Sequence, residues 1–142
     1  MVIDTPALLA LLLGEAEADQ MVDAIERDQR RLLSAVQLLE AAVVIEARKG
    51  ASGGRELDLL LHRAQVQIVN FTAELAESAR EAWRRWGKGR HPPASDSRTT
   101  HSLCAPGLNF CDCCAYALAQ QLGEPLLYKG DDFRRTDVRV AA

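Results

Sequence analysis

Hydrophobic positions come in short runs whose period changes along the chain, from strand-like clusters of three to helical stripes and back. Met1 to Ile3 reads as a short buried strand ending at Asp4, with Thr5 as a helix cap and Pro6 in the first turn. Leu8, Leu9, Leu11, Leu12 and Leu13 make that helix apolar nearly all round, and Gly14 ends it. Ala18, Met21, Val22 and Ile25 predict an amphipathic helix, with Asp19, Asp23 and Glu26 on its wet side. Arg31 to Ser34 reads as a second strand, and Ser34 caps a helix carrying Val36, Leu39, Glu40, Val43, Val44 and Ala47. Lys49 and Gly50 close it, Gly53 and Gly54 fall in a turn, and Leu57, Leu60, Leu61 and Ala64 mark the next helix. Val66, Ile68 and Phe71 predict a third strand. Thr72 then caps a helix whose buried face is Leu75, Ala79, Ala82, Trp83 and Trp86.

From Gly87 to Gly107 the composition turns to Gly, Pro, Ser, Thr and His, and about twenty residues without a periodic pattern are unusual inside a compact domain. A mobile surface loop is expected, with an insertion at about 92–107. Asn109 caps a helix with Asp112, Ala115, Ala119 and Leu122 on one side, and Gly123 ends it. Pro125 to Tyr128 reads as a fourth strand, and Val138 to Val140 as a short fifth at the edge. Strands alternating with helices predict an α/β fold with a parallel sheet of four or five short strands, covered on both faces. In such sheets ligands sit at the carboxyl ends of strands. Asp4 ends the first strand and Asp131 and Asp132 follow the fourth, while helices deliver Glu40 and Asp112 toward the same rim.

The 142 residues, 48% of them hydrophobic, fit one domain. A net charge of −3 excludes the global basic field of a non-specific nucleic-acid binder, so any such contact is local. Asp4 and Pro6 interrupt the apolar start, no basic segment precedes it, and the run is too short to span a bilayer. The chain therefore reads as soluble and cytoplasmic, without a membrane partner. Cys104, Cys111, Cys113 and Cys114 are crowded into one stretch, which suits reduced thiols better than a disulfide framework. His101 with Cys104, Cys111 and Cys113 also admits a zinc site, although neighbouring helical cysteines point apart.

Glu40 lies four after Val36 and four before Val44, where a surface acid is out of place. Two carboxylates about 4 Å apart repel by roughly 4 kcal/mol at an effective dielectric near 20, and burial adds a desolvation cost for each. A fold that gathers Asp4, Glu40, Asp112 and Asp132 needs a cation or raised pKa values. Each acid taken singly reads as a cap, a surface acid or half of an ion pair; taken jointly they read as a metal site. Oxygen ligands suit Mg²⁺ or Mn²⁺, which supports hydrolysis by water without a nucleophilic side chain.

The blocks "MVIDTPALLALLLGE", "LLEAAVVIEARKG", "GGRELDLLLHRA", "WGKGRH", "GLNFCDCCAYALA" and "EPLLYKGDDFRRTDV" occur in order along nearly the whole chain. Together they resemble a PIN-domain ribonuclease of the VapC toxin type. The resemblance implies a three-layer α/β/α fold and an Mg²⁺-dependent endoribonuclease that leaves a 5′-phosphate and a 3′-hydroxyl. It also implies a homodimer, neutralised by a small VapB-type antitoxin whose C-terminal segment covers the acidic groove. Asp4, Glu40, Asp112 and Asp132 match the family acids, Asp131 is an alternative to Asp132, and Thr5 matches the hydroxyl beside the first acid. Cys111 stands where the family has a small Gly, and Pro6 where it has Ser. These departures, with the insertion, leave open a degenerate PIN domain that binds antitoxin or RNA without cleaving. DNA processing is a weaker alternative.

In "WRRWGKGRH", Arg84, Arg85, Lys88, Arg90 and His91 could meet RNA phosphates, or complement the helix dipole instead. Lys129, beside the acids, is the better placed phosphate contact, with Arg90 a second. Trp83 and Trp86 read as core.

Overall fold

The computed structural model describes residues 1–90 and 107–141. Four strands, β1 (Val2–Ile3), β2 (Leu32–Ser34), β3 (Gln67–Val69) and β4 (Leu126–Leu127), form one parallel sheet in the order β3-β2-β1-β4. Six helices connect and cover them: α1 (Thr5–Leu13), α2 (Ala18–Arg27), α3 (Ala35–Lys49), α4 (Ala51–Arg63), α5 (Ala73–Trp86) and α6 (Phe110–Leu122). Much of the expected insertion, with His91, His101 and Cys104, lies outside the described residues. No described helix is long and apolar enough to cross a membrane.

Successive strand residues point to opposite faces, and the two cores follow from that alternation. Val2, Leu32 and Leu126 face α5 and α6, while Ile3, Leu33 and Leu127 face α1 to α4. Completely burying a Leu or Ile is worth about 1.5–3 kcal/mol, so Leu8, Ile45 and Leu57 on one side and Leu108 and Leu118 on the other hold the layers together. α6 is buried continuously from Asp112 to Ala119, because α5, α3 and the sheet all pack on it. The layers are thus α/β/α.

The caps follow local chemistry. The Ser34 hydroxyl accepts from the Val36 N–H, the Thr72 hydroxyl from the Leu75 N–H, and the Asn109 side chain from the Asp112 N–H. α1 differs from expectation: Asp4 occupies the cap position without a side-chain cap bond, and Thr5 is already helical. Gly53 and Gly54 belong to α4, not to a turn. A Cβ on Gly53 would stand 2.7 Å from the Ile45 carbonyl oxygen, so the glycine is what lets α4 cross so close to α3.

Three further expectations fail for tertiary reasons. α3 buries Gln37, Ala41 and Ile45, leaving Leu39 and Val43 65% and 60% exposed, because the helix is apolar on more than one face and the sheet covers only one. Trp83 is exposed, with the Arg90 guanidinium 4.1 Å above its ring, whereas Trp86 is half-buried and donates to the Tyr116 hydroxyl at 3.3 Å. The fifth strand shrinks to a single parallel bridge between Val140 and Leu126.

Candidate functional site

β1 is followed by neighbours on opposite sides, β2 and β4, so the switch in strand order falls at its carboxyl end. Asp4 stands there, its amide donating to the Leu127 carbonyl at 2.9 Å. Asp4 is 1% exposed, and neither carboxylate oxygen has a hydrogen-bond partner among the described residues. Burial pushes the Asp4 carboxyl well above its ordinary range, and Asp112 adds the next push. Glu40 and Asp132 push the same way, and the Thr5 amide, close but not in normal bonding geometry, works against them. The four acids named from sequence therefore share one electrostatic neighbourhood.

Of the other three acids, Asp112 and Asp132 each hold a protein group. Asp112, 4% exposed at the first turn of α6, accepts the Asn109 N–H at 2.7 Å and returns the capping box. Burial first, then Asp132 and Glu40, raise its carboxyl to about 6, while the Asn109 amide and Lys88 pull it down. Glu40 is half-buried on α3 near Cys111, and its carboxylate helps to push that thiol up. Asp132 meets the Lys88 ammonium at 3.5 Å and the Gly107 N–H at 3.5 Å. Asp131 turns outward to Arg134 at 2.8 Å, so Asp132 is the inward member of that pair.

Gln37 was not singled out by the sequence reading. It is fully buried; its side-chain amide donates to the Cys111 carbonyl at 2.6 Å, and its backbone carbonyl accepts from the Thr5 hydroxyl at 3.5 Å. It ties the helix of Glu40 to the helix of Asp112 and to the start of α1. A polar residue four before Ala41 and eight before Ile45 was the available signal.

The expected substrate contacts fare differently. Thr5 is buried and its hydroxyl is engaged by Gln37. Lys129 is held by Glu15 and by Glu17, the latter at 3.0 Å, so its charge is already matched. Arg90 lies on Trp83. Among the described residues, Lys88 forms an ion pair with one of the four acids, Asp132.

Oxygen donors around an orphaned, buried carboxylate fit a hard divalent cation. As the side chains stand, no three Asp, Glu, His or Cys groups among the described residues are close enough to hold an ion together. Cys113 and Cys114 lie in the core against α5, where burial pushes their thiols up to about 12 and about 11, while His101 and Cys104 of the zinc reading lie outside the described residues.

Residues 1–139 match the PIN domain family model. Ribonuclease VapC30 of Mycobacterium tuberculosis is 49% identical over 142 residues, covering 100% of this chain and 98% of that protein. Ribonuclease VapC of Mycolicibacterium smegmatis is 49% identical over 138 residues, 97% of each. The crystal structure of M. tuberculosis VapC20, a Sarcin-Ricin loop cleaving toxin, superposes with a TM-score of 0.71 at 18% identity, over 96% of this chain and 95% of that one. VapBC2 from Rickettsia felis, bound to a promoter DNA fragment, gives 0.66 at 12% identity over 98% and 94%. At those identities the structural matches speak for the fold.

Proposed function

Since the chain belongs to the VapC-type branch of the PIN-domain family, we propose that it is a metal-dependent endoribonuclease toxin, with Mg²⁺ or Mn²⁺ held by Asp4, Glu40, Asp112 and Asp132. The observation that carries this reading is Asp4: a carboxylate at the strand-order switch, buried, with neither oxygen in a hydrogen bond of normal geometry among the described residues. Leaving a buried charged group unsatisfied costs several kcal/mol by general experience, and a divalent cation removes that cost. Once bound, such a cation supplies positive charge to the scissile phosphate and acidifies water.

The chain's own residues set the rest. Asp4 and Asp112 are fixed at the carboxyl end of the interior strand β1 and on a buried helix, so their oxygens are placed before substrate arrives. Glu40 and Asp132 are only partly buried and form the open side, from which an RNA backbone approaches. Gln37 ties α3 to α6, and the Asn109–Asp112 capping box fixes the Asp112 carboxylate at the start of α6. No serine, cysteine or histidine is required as a nucleophile.

The partner in the family of toxin–antitoxin pairs is an antitoxin of the VapB type, and inhibition follows if its C-terminal segment covers the acids. Exposed Leu39, Val43 and Phe110 supply apolar surface for a homodimer. One observation favours a second reading, in which the domain binds without cutting: Asp112 and Asp132 are each engaged by protein groups.

Purified protein incubated with RNA separates the two. Cleavage in Mg²⁺ that stops with chelator or with Asp4→Asn, and yields 5′-phosphate ends, supports the nuclease. Intact RNA throughout, with no thermal stabilisation by Mn²⁺, supports the binding module. Equal cleavage by wild type and Asp4→Asn refutes the assigned site.

A further inference from the structure

We propose that Lys88 is the phosphate-binding cation of this site, stored on Asp132 in the metal-free protein and released to an RNA phosphate when a divalent cation takes that carboxylate. The inference rests on the nuclease reading and adds a residue to it.

The backbone around Lys88 is fixed while its side chain is not. Its amide donates to the Leu108 carbonyl at 3.0 Å, Leu108 donates back to the Trp86 carbonyl at 2.9 Å, and Gly87 and Leu108 form a parallel bridge. Gly107 lies against this crossing: a Cβ there would come within 3.1 Å of the Lys88 Cα and amide nitrogen. Two residues beyond Leu108 α6 begins, with Asp112 in its first turn. The segment bearing Lys88 is therefore laced to the one bearing Asp112.

The ammonium lies 3.5 Å from Asp132, and both side chains are 39% exposed. An exposed Lys–carboxylate pair at that distance contributes little stability and breaks easily. A lysine head on a flexible stem can turn to a new anion without moving its backbone. Its field also reaches Asp112, whose carboxyl it pulls downward. Among the described residues, Lys129 is held by Glu15 and Glu17, Arg134 by Asp131, and Arg90 lies over the Trp83 ring. Storage also explains why Asp132 is engaged while Asp4 is bare.

Two consequences have opposite signs, which a merely structural role would not produce. Lys88→Gln removes a competitor for Asp132, so Mn²⁺ titrated calorimetrically into the RNA-free protein binds several-fold tighter. The same variant loses its phosphate contact, so kcat/KM on RNA falls by about tenfold or more. The slope of log RNA affinity against log salt, measured in Ca²⁺, falls by about one. Lys88→Arg, which keeps the charge, retains most of the RNA affinity. Lys88→Gln with unchanged or weaker Mn²⁺ affinity, or cleaving RNA at the wild-type rate while wild type is active, overturns the Lys88 assignment alone. Wild type that takes up Mn²⁺ yet cuts no RNA overturns the ribonuclease reading, and the phosphate role of Lys88 with it.

Discussion

Replacing Asp112 by Asn gives a test of the electrostatics that needs neither RNA nor metal. The folded-state carboxyl sits at about 6 against an ordinary 3.8, so the folded protein holds this proton more tightly than the unfolded chain. Stability from that difference is complete below the unfolded value and is lost as pH rises through about 6. At pH 8 in chelator the ionised group costs about 3 kcal/mol, at about 1.36 kcal/mol per pKa unit. Asn keeps an acceptor for the Asn109 N–H but loses a charge at a helix N-terminus, a loss of about 0.5 kcal/mol. The variant is therefore expected to be more stable than wild type by about 2 kcal/mol at pH 8, with the gap shrinking toward pH 4. Urea unfolding of both proteins across that range measures it, and Mn²⁺ should narrow the gap at pH 8 by stabilising wild type alone. A gap that ignores pH, or a variant less stable at pH 8, refutes the reasoning.

Gly53→Ala drives a Cβ against the Ile45 carbonyl and the Lys49 Cβ at 2.9 Å, and should lower unfolding stability by about 2 kcal/mol; an unchanged urea midpoint would contradict that close crossing. Val43→Lys, at an exposed position, should leave the stability of the fold within about 0.5 kcal/mol while halving the mass seen by light scattering; an unchanged dimer would place the interface elsewhere. Burial and nearby acids hold the Cys111 thiol at about 12. With the buried Cys113 and Cys114, the partly buried Cys111 should resist iodoacetamide at pH 8 until the protein is unfolded, and fast labelling of these residues in the native protein would argue against thiols held protonated by their surroundings.

Caps and terminators were legible because they are decided within a few residues. Ser34, Thr72 and Asn109 cap as their side chains dictate, and Gly14 and Gly123 end helices in the left-handed conformation. The acids of the candidate site were visible through their apolar context, and Asp112 shows that a cap and a site residue can be the same group. What a side chain meets across the fold was not legible. Nothing near Lys129 in the sequence reveals Glu15, and nothing near Lys88 reveals Asp132. α3 misled for a related reason: with apolar residues on two faces, periodicity does not say which one the sheet covers. Trp83 belongs with Leu39 and Val43, as apolar surface that one copy of the chain leaves uncovered.

Crystals soaked in Mn²⁺ at a concentration that sustains RNA cleavage, with diffraction recorded at the manganese edge, locate the ion itself. An anomalous peak beside the Asp4 carboxylate, with Asp112 or Asp132 turned toward it and the Lys88 ammonium withdrawn, is the predicted result. An active protein whose map shows no manganese near Asp4 would contradict the proposed cation site.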